Sequence, residues 1–115
     1  MNKNLSIDDL KANAQRASEL LKAMSNEKRL LILCYLAAGE KAVGEMERLV
    51  GLSQSALSQH LARLRRDGLV KTRRASQTIY YSLAGGEAAA IMETLHGLYC
   101  CDTDDGTTRL KVAGQ

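Results

Sequence analysis

The stretch from Ser53 to Gly68, SQSALSQHLARLRRDG, constrains the chain most, because it reads as a helix with its own start, its own stop and two chemically distinct faces. Ser53 suits an N-cap, where its hydroxyl accepts from a backbone N–H two or three residues on, and Gly68 suits the left-handed residue that closes a helix. Leu57, Leu61 and Leu64 recur at helical spacing and must be buried, whereas Ser55, Ser58, Gln59, Ala62 and Arg66 point the other way. A merely solvated face carries interleaved Glu and Lys, and this one has no acid before Asp67. Small polar groups suit the floor of a DNA groove: Gln pairs bidentately with adenine, Ser bonds to a base edge or a phosphate, and Ala approaches a thymine methyl. Upstream, Val43 to Val50 is a shorter apolar-periodic segment, and Gly51-Leu52 leads tightly into Ser53. Two helices meeting across so brief a turn form a helix-turn-helix.

The charge supports a polyanionic partner through its placement more than its sum. The net charge over 115 residues is +3, yet Arg63 to Arg74 holds Arg63, Arg65, Arg66, Lys71, Arg73 and Arg74 against Asp67, a net of +5 that leaves the remainder acidic. One face therefore seeks polyanions. The chain has four Tyr and no Phe or Trp, a poor stacking platform for single-stranded bases, so duplex DNA is the better partner. No apolar run approaches the roughly 18 residues of a membrane span, and the N-terminus lacks a signal-peptide layout, so a cytoplasmic location and no membrane partner are expected. Three Cys, an odd number, argue against a secreted disulfide framework.

In chain order, Ser6-Ile7-Asp8-Asp9 is a capping-box-like helix start with Leu5 and Leu10 placed as a hydrophobic staple. That helix carries Ile7, Leu10, Ala14, Ala17, Leu21 and Met24 in steps of three and four. Such a seam serves a dimer arm or a helix packed on its own domain, and the dimer arm is the reading adopted. After a break at Ser25-Asn26, Glu27 to Ala38 is apolar around nearly its whole circumference and belongs in the domain centre, with Cys34 in it and Gly39 ending it. The two motif helices follow. After Gly68 the period becomes two, Leu69 to Arg74 and then Gln77 to Leu83, which predicts a β-hairpin with a polar tip at Ala75-Ser76-Gln77. A hairpin directly after a recognition helix is a wing whose basic residues bind phosphates or enter the minor groove. From Glu87 to about Tyr99 a last helix carries Ala88, Ile91, Met92, Leu95, Leu98 and Tyr99, a stripe broader than one small domain covers. The fold class is thus mainly α with a small β-hairpin, a winged helix-turn-helix of four helices, two strands and a fifth helix. Residues 1–101 form one domain, and the polar, aperiodic 102–115 is expected to be a flexible tail.

KAMSNEKRLLIL, VGLSQSALSQHLARLRRDGLV and TRRASQTIYYSL, in this order of elements, closely resemble the ArsR/SmtB family of winged-helix repressors from Ala17 to Cys100. The resemblance implies a homodimer joined through its first and last helices. It implies binding to an imperfect inverted repeat in double-stranded DNA near a promoter, and release by an inducer. The candidate DNA contacts are Gln54, Ser55, Ser58 and Gln59 for base edges, His60 and Arg63 for nearby backbone or bases, and Arg73, Arg74 and Gln77 for the wing. His60 borders the buried stripe.

Many members sense metals, and this sequence departs from their patterns. Glu40 to Met46, where a Cys-x-Cys motif often stands, has no thiol, and the last helix offers His96 with Glu87 and Glu93 where a zinc site needs several His. No resident metal, cofactor or catalytic residue is expected. The thiols resemble the thiol-switch branch of the family, which implies that Cys34 and Cys100 sense reactive sulfur species or oxidant, with Cys101 an extra thiol that competes for the pairing. A direct disulfide needs Cα atoms about 4.4–6.8 Å apart, whereas a bridge containing extra sulfur spans more. Alternatives are a soft-ion sensor in which the three thiols bind arsenite, a ligand-independent regulator, an anti-silencer, and Cys34 as a small buried hydrophobe. An enzymatic thiol is disfavoured, because there is neither a Cys-x-x-Cys nor the alternating strands and helices of a redox fold. A pure protein-interaction module leaves the +5 block unexplained.

Overall fold

The computed structural model describes residues 6–99. Its elements are α1 (Ile7–Met24), α2 (Glu27–Ala37), β1 (Lys41–Ala42), α3 (Val43–Val50), α4 (Gln54–Arg66), β2 (Val70–Ala75), β3 (Thr78–Leu83) and α5 (Gly86–Tyr99). The expected helices and hairpin are present, and the fold is a winged helix-turn-helix. β1 is an addition to the expected order. It pairs antiparallel with β3, Lys41 opposite Tyr81 and Ala42 opposite Tyr80, so the sheet has three strands in the order β1-β3-β2. Two residues are too few to show a period of two, which is why the sequence pattern does not reveal this strand. Leu5, the tail, Cys100 and Cys101 lie outside the described residues.

Local chemistry fixes the element ends. The Ser6 hydroxyl accepts from the Asp9 N–H at 3.0 Å and the Asp9 carboxylate accepts from the Ser6 N–H at 3.5 Å, a reciprocal capping box at the start of α1. The Asn26 side chain accepts from the N–H groups of Lys28 and Arg29 at 2.9 and 3.0 Å and starts α2. Arg29 then reaches back across this corner, its Nε donating to the Ala23 carbonyl at 2.6 Å, and so satisfies an orphan acceptor at the end of α1. The hairpin closes tightly, Ala75 opposite Thr78, with Ser76 at φ 59°. Positive φ at the first of two turn residues matches the right-handed twist of the strands.

The core joins Ile32, Leu33 and Leu36 of α2, Met46 and Val50 of α3, and Leu57, Leu61 and Leu64 of α4 to Leu69, Val70, Ala88 and Met92. Each large side chain buried in this way contributes roughly 1.5–3 kcal/mol. The three leucines of α4 are essentially inaccessible, which fixes the rotation of the helix and turns its opposite face outward. α1 behaves differently. Ala23 and Met24 at its end are buried, but Ile7 is 70% exposed, Leu10 51% and Leu21 55%. Leu98 and Tyr99 at the end of α5 are exposed as well, so two helices leave apolar surface uncovered in the single chain.

Candidate nucleic-acid interface

α4 is positioned from both ends. Gly51, at φ 77°, ends α3 by donating its N–H to the Glu47 carbonyl at 3.1 Å, and Leu52 packs on the core beneath the turn. The Ser53 hydroxyl accepts from the Ala56 N–H at 3.2 Å. At the far end the Gly68 N–H donates to the Arg65 carbonyl at 3.0 Å and the Leu69 N–H to the Leu64 carbonyl at 2.9 Å. These two bonds, with Gly68 at φ 79° and Leu64 and Leu69 both buried, form a complete Schellman motif. The helix therefore ends rigidly, and the chain turns directly into β2.

The expected contact residues divide by position. Gln54, Ser55, Ser58 and Gln59 are exposed on the outer side of α4. His60 is half-buried, and burial, followed by the positive charge of Arg29, holds its imidazole below the ordinary value of 6.5. Its place is on the inner shoulder of the helix, toward the α1–α2 corner. Arg63 is half-buried too, its Nε donating to the Asp67 carboxylate at 3.0 Å. It lines a hollow of about 490 Å³ with Arg16 and Glu87, whose own ion pair, 3.1 Å long, ties α1 to α5. Arg63 thus borders the helices beneath α4 while standing one helical turn along from Gln59.

The wing residues separate as well. Side chains alternate faces along a strand, and cross-strand partners share one. Arg74 stands opposite Ile79 and Thr72 opposite Tyr81, whereas Arg73 stands opposite Tyr80 and Lys71 opposite Ser82. Tyr81 closes a depression of about 440 Å³ whose other walls are Ser58, Ala62, Arg65 and Arg66 of α4. Arg74 shares that inward face of the hairpin, and Arg73 occupies the other. There Arg73 is engaged: its guanidinium donates to both Glu40 carboxylate oxygens, at 2.7 and 3.0 Å, and lies over the Tyr80 ring, 4.6 Å from its centre. Gln77 is exposed in the turn.

Arg65, Arg66 and Tyr81, which line this depression, lie outside the set of contacts expected from residue type. Arg65 and Arg66 were legible as part of the basic block, and Arg66 as part of the outward face. Tyr81 was not, because its neighbours depend on the hairpin register.

Cys34 is exposed on α2 and lines a hollow of about 630 Å³ with Tyr35, Ala37, Ala38, Leu83, Ala89, Met92, Glu93 and His96, between α2 and α5. Its exposure contradicts the reading of Cys34 as a buried hydrophobe. Among the described residues no cluster of three or more His, Cys, Asp or Glu could hold a metal ion, and no helix is long and apolar enough to cross a membrane.

Residues 26–72, which hold α2, the helix-turn-helix and the start of the wing, match the model of the bacterial regulatory protein arsR family. The transcriptional activator HlyU of Vibrio cholerae is 53% identical over 96 residues, covering 84% of this chain and 89% of that protein. The biofilm growth-associated repressor of Xylella fastidiosa is 39% identical over 93 residues, covering 81% of this chain and 82% of its own. The solved structure of reduced HlyU from Vibrio cholerae superposes with a TM-score of 0.79 at 54% identity, over 82% of this chain and 99% of that one. A homodimeric winged helix-turn-helix DNA-binding domain from Mycobacterium bovis gives a TM-score of 0.69 at 31% identity, over 84% of this chain and 88% of its own.

Proposed function

The chain belongs to the ArsR family of bacterial regulatory proteins, and from that premise we propose that it acts as a homodimeric repressor whose grip on its operator loosens when Cys34 is bridged to Cys100 or Cys101. It is a DNA-binding transcriptional regulator and not an enzyme. The observation that carries the DNA half of the reading is the exposed row Gln54, Ser55, Ser58 and Gln59 beside Arg65, Arg66 and Arg74, on a helix whose other side is locked into the core. Two such helices, one per protomer, read half-sites about one helical turn apart or a multiple of it.

Dimerisation is supported by the uncovered apolar residues of α1 and α5 and by the homodimeric relative. A one-protomer mass by sedimentation at the concentrations that bind DNA would overturn it. Relatives are described both as activator and as repressor, and repression is the direct outcome when a dimer occupies a promoter.

For the thiol half, support comes from the exposure of Cys34 on α2, which packs against α5, the helix that leads to Cys100. With a polysulfide as oxidant, one thiolate attacks a sulfur atom, expels a shorter polysulfide and becomes a persulfide. The second thiolate attacks that persulfide, expels hydrogensulfide and completes the bridge. Linking α2 to the end of α5 shifts how the dimer helices pack and so the spacing of the two recognition helices. A coupling of about 1–3 kcal/mol between the bridge and DNA is typical of allosteric proteins, and bound DNA must oppose bridging by the same amount. Mass spectrometry after polysulfide treatment should find peptides of Cys34 joined to the Cys100–Cys101 segment. Independent modification of single thiols alone would refute the switch.

A further inference from the structure

The Arg73–Glu40 pair is the feature that DNA binding by itself leaves unexplained. A basic wing residue adjacent to Arg74 is held by an acid 33 positions away, across the strand between them. We propose that Glu40 sets the selectivity of the protein between its operator and other DNA, by keeping Arg73 off the phosphate backbone until the wing is seated in the operator. This rests on the reading of the chain as a DNA-binding regulator.

The geometry supplies the reason. The planar guanidinium fork of Arg accepts a carboxylate or a phosphate in the same bidentate manner, so the Glu40 oxygens at 2.7 and 3.0 Å occupy the place a phosphate would take. The Tyr80 ring beneath the guanidinium holds it flat against the sheet. Both partners remain accessible, Arg73 with 55% and Glu40 with 35% of its side chain exposed. The pair is therefore exchangeable, since an exposed ion pair is weak and water already reaches it.

The positive charge of Lys71, on the same outer face, also favours the ionised form of Glu40, although the hydrogen bonds from Arg73 dominate. Glu40 thereby offsets the cations on one face of the wing and leaves Arg74 on the other. On random duplex, where nothing fixes the wing against a particular phosphate, Glu40 keeps the guanidinium paired and Arg73 contributes no contact. In the operator complex the base contacts of α4 hold the wing in place, and a fixed phosphate displaces the carboxylate.

The test measures binding of an operator duplex and a random duplex of equal length between 50 and 200 mM salt, for wild type, Glu40→Gln, Arg73→Gln and the double variant, with a thermal melt for each. Glu40→Gln should tighten random-duplex binding several-fold. It should steepen the salt slope there by about 0.9, so that its advantage shrinks about 3.5-fold across that range. Arg73→Gln should weaken operator binding by more than random-duplex binding, which loses only through the unpaired Glu40 carboxylate, and should flatten the operator slope by about 0.9. The double variant should bind random duplex like wild type, which attributes the gain to Arg73 and not to the loss of an acid near DNA. Random-duplex binding unaffected by Glu40→Gln, or a gain that persists in the double variant, overturns the proposal. So does an Arg73→Gln loss that is equal on the two duplexes or absent from both. Wild-type protein that binds neither duplex overturns the DNA-binding reading instead.

Discussion

Gln59 tests whether the exposed side of α4 reads bases or only rests on the backbone. Replacing it by Ala removes a bidentate donor and acceptor pair, which should cost about 1–3 kcal/mol at one base position and leave binding to random duplex unchanged. Equal losses on operator and random DNA, measured by competition with singly substituted duplexes, would place Gln59 outside base recognition. His60, three positions from Leu57 and Arg63, has another consequence. Burial and Arg29 depress its folded pKa, so the folded state takes up a proton less readily than the unfolded chain. Stability should be full above the ordinary value of 6.5 and should fall as the pH drops through it toward the folded pKa. Urea unfolding of wild type and His60→Gln at pH 7.5 and 5.5 checks this, with the smaller acid loss expected in the variant. The sequence placed His60 at the border of the leucine stripe. The neighbouring Arg29 charge was out of reach of any such argument, because it depends on how the α1–α2 corner folds back toward α4.

The elements with a strong period were legible. α1 and α4 begin where their capping serines, Ser6 and Ser53, stand in the sequence, α3 ends at Gly51, and Gly68 announced its own role as a helix stop. A Cβ placed on Gly68 meets no atom within 4 Å, so the penalty of Gly68→Ala is that of the backbone at φ 79°. That substitution should cost about 1 kcal/mol, the left-handed strain less the entropy that Ala removes from the unfolded chain. Chemical denaturation reads this directly, and an unchanged midpoint would mean that the Schellman turn is not rigid. The sheet was less legible. β1 has no periodic signature, and with β1 unseen there was no way to find the acid that holds Arg73. Residue types alone grouped Arg73 with Arg74, and only the antiparallel register puts them on opposite faces.

At the scale of the whole molecule, the apolar residues left uncovered on α1 and α5 and the polar row on α4 belong to one design. On the proposed reading, one surface pairs two copies, and the other, doubled by that pairing, fits two half-sites. Both surfaces could be anticipated from helical periodicity, because each is a stripe along a single helix. Under the proposed switch, how a bridge at Cys34 reaches α4 could not, since the path runs through packing between helices distant in sequence. The most direct measurement is fluorescence anisotropy of the protein on a fragment of its own promoter and on a random duplex of equal length, for protein that is reduced, treated with polysulfide, and treated then reduced again. The account predicts tight, promoter-selective binding by reduced protein, loss of affinity on treatment and recovery with reductant. Binding without preference for the promoter would contradict the assignment of α4 as a reading helix. Selective binding of equal strength in all three states would contradict the thiol switch.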